Sequence, residues 1–162
     1  FKYKSFNNIL CQPQLQNVKL NFAIFAVRKS FRCVVVSSRE KEYEGRKMSS
    51  LLEKATIFAD GLDHPECVAV HPDGSVWAGG EAGQIYKISS DGKTIEDVAN
   101  TGGFILGIAF SPGSEWLAAC DLKNHCVWRY DIQDEKLAKF AEGAGNHTFN
   151  IPNYIVFEAP PV

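Results

Sequence analysis

Two stretches of the chain repeat one another at a distance of 40 residues, and this repeat constrains the fold more than any other feature. ECVAVHPDGSVWAGGEAGQIYKISSDGK, residues 66–93, and LGIAFSPGSEWLAACDLKNHCVWRYDIQDEK, residues 106–136, follow one plan. Each has a short β-rich run, a Pro turn, a second run, a polar or Gly-containing turn, and a third, aromatic-containing run before a closing Asp turn. Pro72 and Pro112 mark the period, and NYIVFEA opens a third copy in which Phe157 matches Phe110 after a step of 47. Pro72-Asp73-Gly74 is a turn because Pro presets one dihedral, Asp bonds its own backbone and Gly tolerates positive φ; Pro112-Gly113 does similar work. Strands are expected at 67–70, 76–78 and 85–88, and again at 108–110, 116–119 and 127–130, where β-branched and aromatic side chains suit a pleated surface. No ten-residue helical stripe follows Phe58.

Short meandering strands at a period of 40 to 47 residues are what the blades of a β-propeller require. Each blade is a small twisted sheet that cannot bury both faces alone, so neighbouring blades complete its core. A single β-sandwich or barrel also uses short, evenly spaced strands, but has no reason to repeat its turn chemistry at this distance. The expected class is all-β: an incomplete propeller of about two to three blades. Its open blade edges need missing blades or a partner chain.

Charge divides the chain in two. Residues 1–47 carry ten Lys/Arg against three Asp/Glu, a net of +7, and residues 48–162 carry seven against sixteen, a net of −9. The first part reads as a basic, poorly ordered leader, which is either an organellar targeting peptide or upstream sequence ahead of Met48. A short β element at 31–36 is a third reading. The acidic part, 48–162, is the propeller segment, and its charge argues against nucleic acid as a partner. No apolar run approaches the about 20 residues that span a bilayer, so no membrane partner is expected. The five cysteines (Cys11, Cys33, Cys67, Cys120, Cys126) are odd in number and lack framework spacing, which favours a reducing, cytoplasmic location over a disulfide scaffold.

In a propeller the first strand of each blade lines the central channel, so equivalent positions at its entry converge on one mouth. Counting four residues back from Val70, Phe110 and Phe157 gives Glu66, Leu106 and Asn153. A carboxylate and a side-chain carbonyl are oxygen ligands suited to calcium, and the carboxylate also to zinc or manganese. The alternative is that both satisfy backbone groups at a blade edge. His64 is placed to reach the same mouth. Asp121, closing the second strand of its repeat, is either a substrate contact or a turn residue.

From Asp60 onward the chain resembles the family of senescence marker protein 30, the gluconolactonases and the luciferin-regenerating enzymes. The stretches that carry the resemblance are GLDHPECVAVHPDGSVWAGGEAGQIYKI, GIAFSPGSEWLAACD and IPNYIVFE. The resemblance implies a six-bladed propeller, metal-dependent hydrolysis of a small lactone or ester, and a divalent metal in the channel, with calcium foremost. It implies Glu66 and Asn153 as metal ligands, the latter after Pro152, and a further Asp ligand and catalyst from a later blade that has no counterpart here. Where members place a substrate-contacting Asn this chain has Leu106, which keeps two other readings open. These are a strictosidine-synthase-like propeller and a non-catalytic ligand-binding or scaffold propeller. Pro160-Pro161 departs from the expected continuation, since Pro cannot donate to a ladder.

Other constellations carry less. Cys120, His125 and Cys126 lack knuckle spacing and a fourth ligand for zinc. Gly79-Gly80 and Gly102-Gly103 lead into no helix and form no phosphate loop. No G-x-S-x-G elbow is present for a serine hydrolase.

Overall fold

The computed structural model describes residues 56–158 together with the backbone of two upstream strands, β1 (Asn21–Ala26) and β2 (Arg32–Ser38). Most of the basic leader, Met48, Cys11 and Pro160-Pro161 lie outside the described residues. β3 (Thr56–Asp60) follows, and then two four-stranded antiparallel meanders. Blade 1 is β4 (Val68–Val70), β5 (Val76–Gly79), β6 (Gln84–Ile88) and β7 (Ile95–Asn100). Blade 2 is β8 (Ile105–Phe110), β9 (Trp116–Asp121), β10 (Cys126–Asp131) and β11 (Lys136–Ala141). A small hairpin, β12 (Gly143–Ala144) with β13 (His147–Thr148), leads to residues 151–158. The described residues contain no helix.

The three expected strands of each repeat are present, and each blade gains a fourth. β7 (IEDVAN) and β11 (KLAKFA) show no apolar alternation, because as outermost strands they are mostly solvated. The third copy differs from expectation as well: residues 151–158 pair in no ladder. They nonetheless keep the packing role of a first strand, as described below.

Period-two alternation sends neighbouring side chains to opposite faces of blade 1. One face (Cys67, Ala69, Trp77, Ile85) meets Ile105, Ile108, Leu117, Ala119 and Tyr130 of blade 2 in a shared core. The other (Val68, Val76, Ala78, Tyr86, Ile88) meets Ala59 and Leu62, with Phe58 against it. Both faces are apolar because both are covered, as a blade between two neighbours requires. The same contact recurs one step on. Phe110 of blade 2 meets Trp77 of blade 1 edge-on with ring centroids 5.6 Å apart, and Phe157 meets Trp116 of blade 2 edge-on at 5.1 Å. Ile155 and Phe157 lie on the outward face of blade 2 beside Ala118, Cys120 and Val127. The chain is therefore an incomplete β-propeller, with two blades and the packed opening of the next.

The Pro turns hold with one change. In the first, Asp73 Oδ1 accepts from the Ser75 N–H at 2.8 Å and the Ser75 hydroxyl at 2.6 Å, and Gly74 takes φ +89°. Burial pushes the Asp73 carboxyl up, but the Ser75 and His71 hydrogen bonds outweigh it and hold it at about 2. In the second turn the left-handed residue is Ser114 (φ +63°), at the position matching Gly74, and not Gly113.

Candidate functional site

In an antiparallel meander the loops alternate between two ends. The links 61–67 and 101–104, which enter first strands, share one end with the turns 80–83 and 122–125 between second and third strands. The Pro turns lie at the other end. All five candidate residues fall on the first end. Glu66 stands two residues ahead of β4, Leu106 is the second residue of β8, and β4 lies beside β8. Asn153 joins this row through Gly107. A Cβ on Gly107 would meet the Asn153 carbonyl oxygen at 2.6 Å and the Tyr154 Cα at 2.8 Å, so only Gly lets the two backbones stack. The order β4, β8, 153–157 is thus the order of successive first strands. Glu66 and Asn153 are exposed and Leu106 half-buried.

His64 is exposed and takes φ +39°, a region that L residues seldom occupy. Its Nδ1 lies 3.0 Å from Asp63 Oδ1 and 2.9 Å from Glu81 Oε2, an imidazole between two carboxylates. Asp63 Oδ2 also accepts from the Ala82 N–H at 3.2 Å and from Gln84 Nε2 at 3.3 Å. These contacts, with the His64 hydrogen bond the largest, hold the Asp63 carboxyl below its ordinary value. The cluster ties the link into β4 to the 80–83 turn. Asp63 and Glu81 escape a reading based on first-strand positions alone. One signal exists: Glu81 lies 40 residues before Asp121, at the same point of the preceding repeat.

Asp121 is fully buried. Its Oδ1 accepts from the backbone N–H of Phe104 and of Asn124, each at 3.0 Å. Its Oδ2 accepts from Asn124 Nδ2 at 2.8 Å and Trp128 Nε1 at 3.0 Å. Burial pushes this carboxyl up, yet the donors outweigh it and hold it below its ordinary value. Gly103 lies directly against the carboxylate, where any side chain would collide with it. Asn124 Nδ2 also donates to the Thr101 carbonyl at 3.1 Å, so the pair clamps the 101–104 link to the 122–125 turn. Of the two roles open to Asp121, the geometry is that of the turn residue.

The cysteines of blade 2 are enclosed. Burial pushes the Cys120 thiol up to about 11 and raises Cys126 as well. His125 does not join them: its Nδ1 bonds the Asn150 carbonyl at 2.6 Å, tethering the 122–125 turn to the segment that carries Asn153.

Glu66 and Asn153 carry oxygen donors at the first and third of the three first-strand entries, a donor type that suits a hard cation such as calcium. Two such ligands fill only part of a shell of six to eight oxygens.

Comparison with known proteins gives a partial match. The family described as strictosidine synthase-like, N-terminal, matches residues 49–88, up to the third strand of blade 1. This supports a propeller family, and it falls on the strictosidine-synthase-like propellers rather than on the gluconolactonase group. Among solved structures the chain is similar to an auxiliary nutrient binding protein from Bacteroides thetaiotaomicron VPI-5482. The identity is 13% and the TM-score 0.47, over 82% of this chain and 33% of that one. The chain spans about a third of that protein's length. No curated protein matches the sequence.

Proposed function

We propose that the mouth formed by the entries to β4, β8 and residues 153–157 takes a small lactone or ester and, with a divalent cation, hydrolyses it. The observation that carries the reading is the alignment of Glu66, Leu106 and Asn153 at successive first strands, with the Gly107 contact seating Asn153 in that row. Glu66 and Asn153 would hold the cation, calcium foremost and zinc or manganese next. When bound, the cation would polarise the carbonyl and stabilise negative charge that develops on its oxygen. Leu106 offers an apolar wall to the substrate's carbon skeleton, and His64 a polar contact held in place by Asp63 and Glu81. The full site needs residues from blades beyond these two. The six-bladed count and a cytoplasmic location belong to this same reading.

A second reading is a ligand-binding propeller without catalysis. It is favoured by Asp121, the carboxylate of blade 2 at this end, whose oxygens are already engaged by four donors. The strictosidine-synthase-like match over residues 49–88 suits either reading.

The test is hydrolysis of a lactone panel followed by pH-stat, with chelator and then with calcium, zinc or manganese restored. Metal-restored turnover that disappears in both Glu66→Gln and Asn153→Ala supports the hydrolase. A folded, metal-binding protein without turnover favours the binding propeller, and a folded protein that binds neither metal nor lactone sinks both.

A further inference from the structure

The strand that covers the leading face of blade 1, β3, is not alone. It pairs antiparallel with β2, which pairs with β1, so these strands form a three-stranded antiparallel sheet in the order β1-β2-β3. Its details match those of the two blades. In blade 1 the ladder between the third and fourth strands is bulged at Ile85/Tyr86, and Val98 is skipped opposite. In blade 2 the same ladder is bulged at Val127/Trp128, and Phe140 is skipped. Between β2 and β3 the bulge falls at Cys33/Val34, and Phe58 is skipped. In every case the bulge lies between the second and third residues of the penultimate strand. A bulge sets local twist and register, so its recurrence marks equivalent strands.

The sequence repeats with it. Ala59-Asp60 and Ala99-Asn100 close β3 and β7 at a distance of 40 residues, and Ala141 closes β11 with Glu142 directly after it. From each, a link runs to the next first strand: 61–67 to β4 and 101–104 to β8. Ala59 and the skipped Phe58 pack on blade 1. Ala99 and the skipped Val98 likewise join the core between blades 1 and 2. Arg32 and Asp60 stand opposite each other in the register.

We infer that β1 and β2 supply the second and third strands of a blade whose fourth strand is β3, so that these upstream strands are a working part of the propeller. The β1–β2 hairpin is the partner of the β3 edge. It covers ladder positions that another blade or a second copy of the chain would otherwise pair with.

The experiment uses the full chain. Val34 and Ile57 oppose each other in the register, and Ile57 is 48% exposed, so substitution there leaves the core intact. The double variant Val34→Cys/Ile57→Cys is oxidised mildly and mapped by peptide mass spectrometry, with Val34→Cys/Ile95→Cys as control. A disulfide within one chain between positions 34 and 57, absent from the control, is expected. Linkage only between copies, or none in a protein whose blades remain folded, overturns the inference. Hydrogen exchange gives a second readout. Val35→Pro is expected to abolish protection of the amides of 56–60 while β5 and β9 keep theirs. Unchanged protection of 56–60 in that variant overturns the inference too.

Discussion

Replacing Asp121 by Asn tests whether a buried carboxylate clamps the mouth of blade 2. The two side chains have nearly the same volume, so packing is not disturbed. The difference lies in the donors: Oδ1 faces two N–H groups and Oδ2 faces the Asn124 amide and the Trp128 indole. Whichever way the new amide turns, its NH2 is set against two donors at a side chain that is itself fully buried. Leaving a buried donor unsatisfied costs about 1–3 kcal/mol, and relaxation makes such costs less than additive. A net loss of about 2–4 kcal/mol follows, a large part of the about 5–15 kcal/mol that holds a domain together. With a guanidinium m-value near 3 kcal/mol/M, the midpoint falls by about 1 M. Fluorescence of Trp128, itself a donor to Asp121, reports the transition. The pH dependence has a definite sign. The folded carboxyl is held below its ordinary value, so its contribution is present above that value and is lost as pH falls through the folded one. Asp121→Asn should therefore lose its disadvantage in acid and match the wild type most closely at the lowest pH that keeps both folded. A midpoint at neutral pH within error of the wild type would refute the clamp.

Three further outcomes follow from the packing. Gly107→Val should drive the 153–158 segment off blade 2, at a cost of about 1–3 kcal/mol, seen as faster proteolysis between Pro152 and Glu158 with β9 and β10 still protected. Ser114→Gly should stabilise the chain by about 0.5–1 kcal/mol, because it relieves a left-handed side chain at a position where blade 1 uses Gly74; equal melting temperatures would count against this. The Cys120 thiol, pushed up to about 11 by burial, should resist a disulfide reagent at mildly alkaline pH until denaturant is added, and rapid native labelling mapped to Cys120 would contradict its enclosure.

The blades were legible because their inner three strands alternate and their turns repeat, as Pro72 and Pro112 show. The fourth strands were not. β7 and β11 are solvated, and a solvated strand carries no burial pattern, although the Ala-acid or Ala-amide pairs at 59–60, 99–100 and 141–142 were a usable sign. The first-strand entries were legible as positions, since Glu66, Leu106 and Asn153 sit at the starts of β4, β8 and residues 153–157. What surrounds them was not. The Asp63–His64–Glu81 cluster joins a link to a turn, and such a contact leaves no local periodicity in the sequence. Asp121 shows the complementary limit: a turn anchor and a substrate contact use the same residue type, and only its four donors separate them.

The convergence of the first-strand positions on one cation is tested most directly by titrating manganese into the labelled full chain and recording paramagnetic broadening of backbone amides. Broadening is expected at residues 66–67, 106–107 and 153–154 together, with weak effects at the opposite-end turn 89–94 and loss of the effect in Glu66→Gln. Broadening centred on 89–94, or none at the mouth of a folded protein, would contradict that convergence.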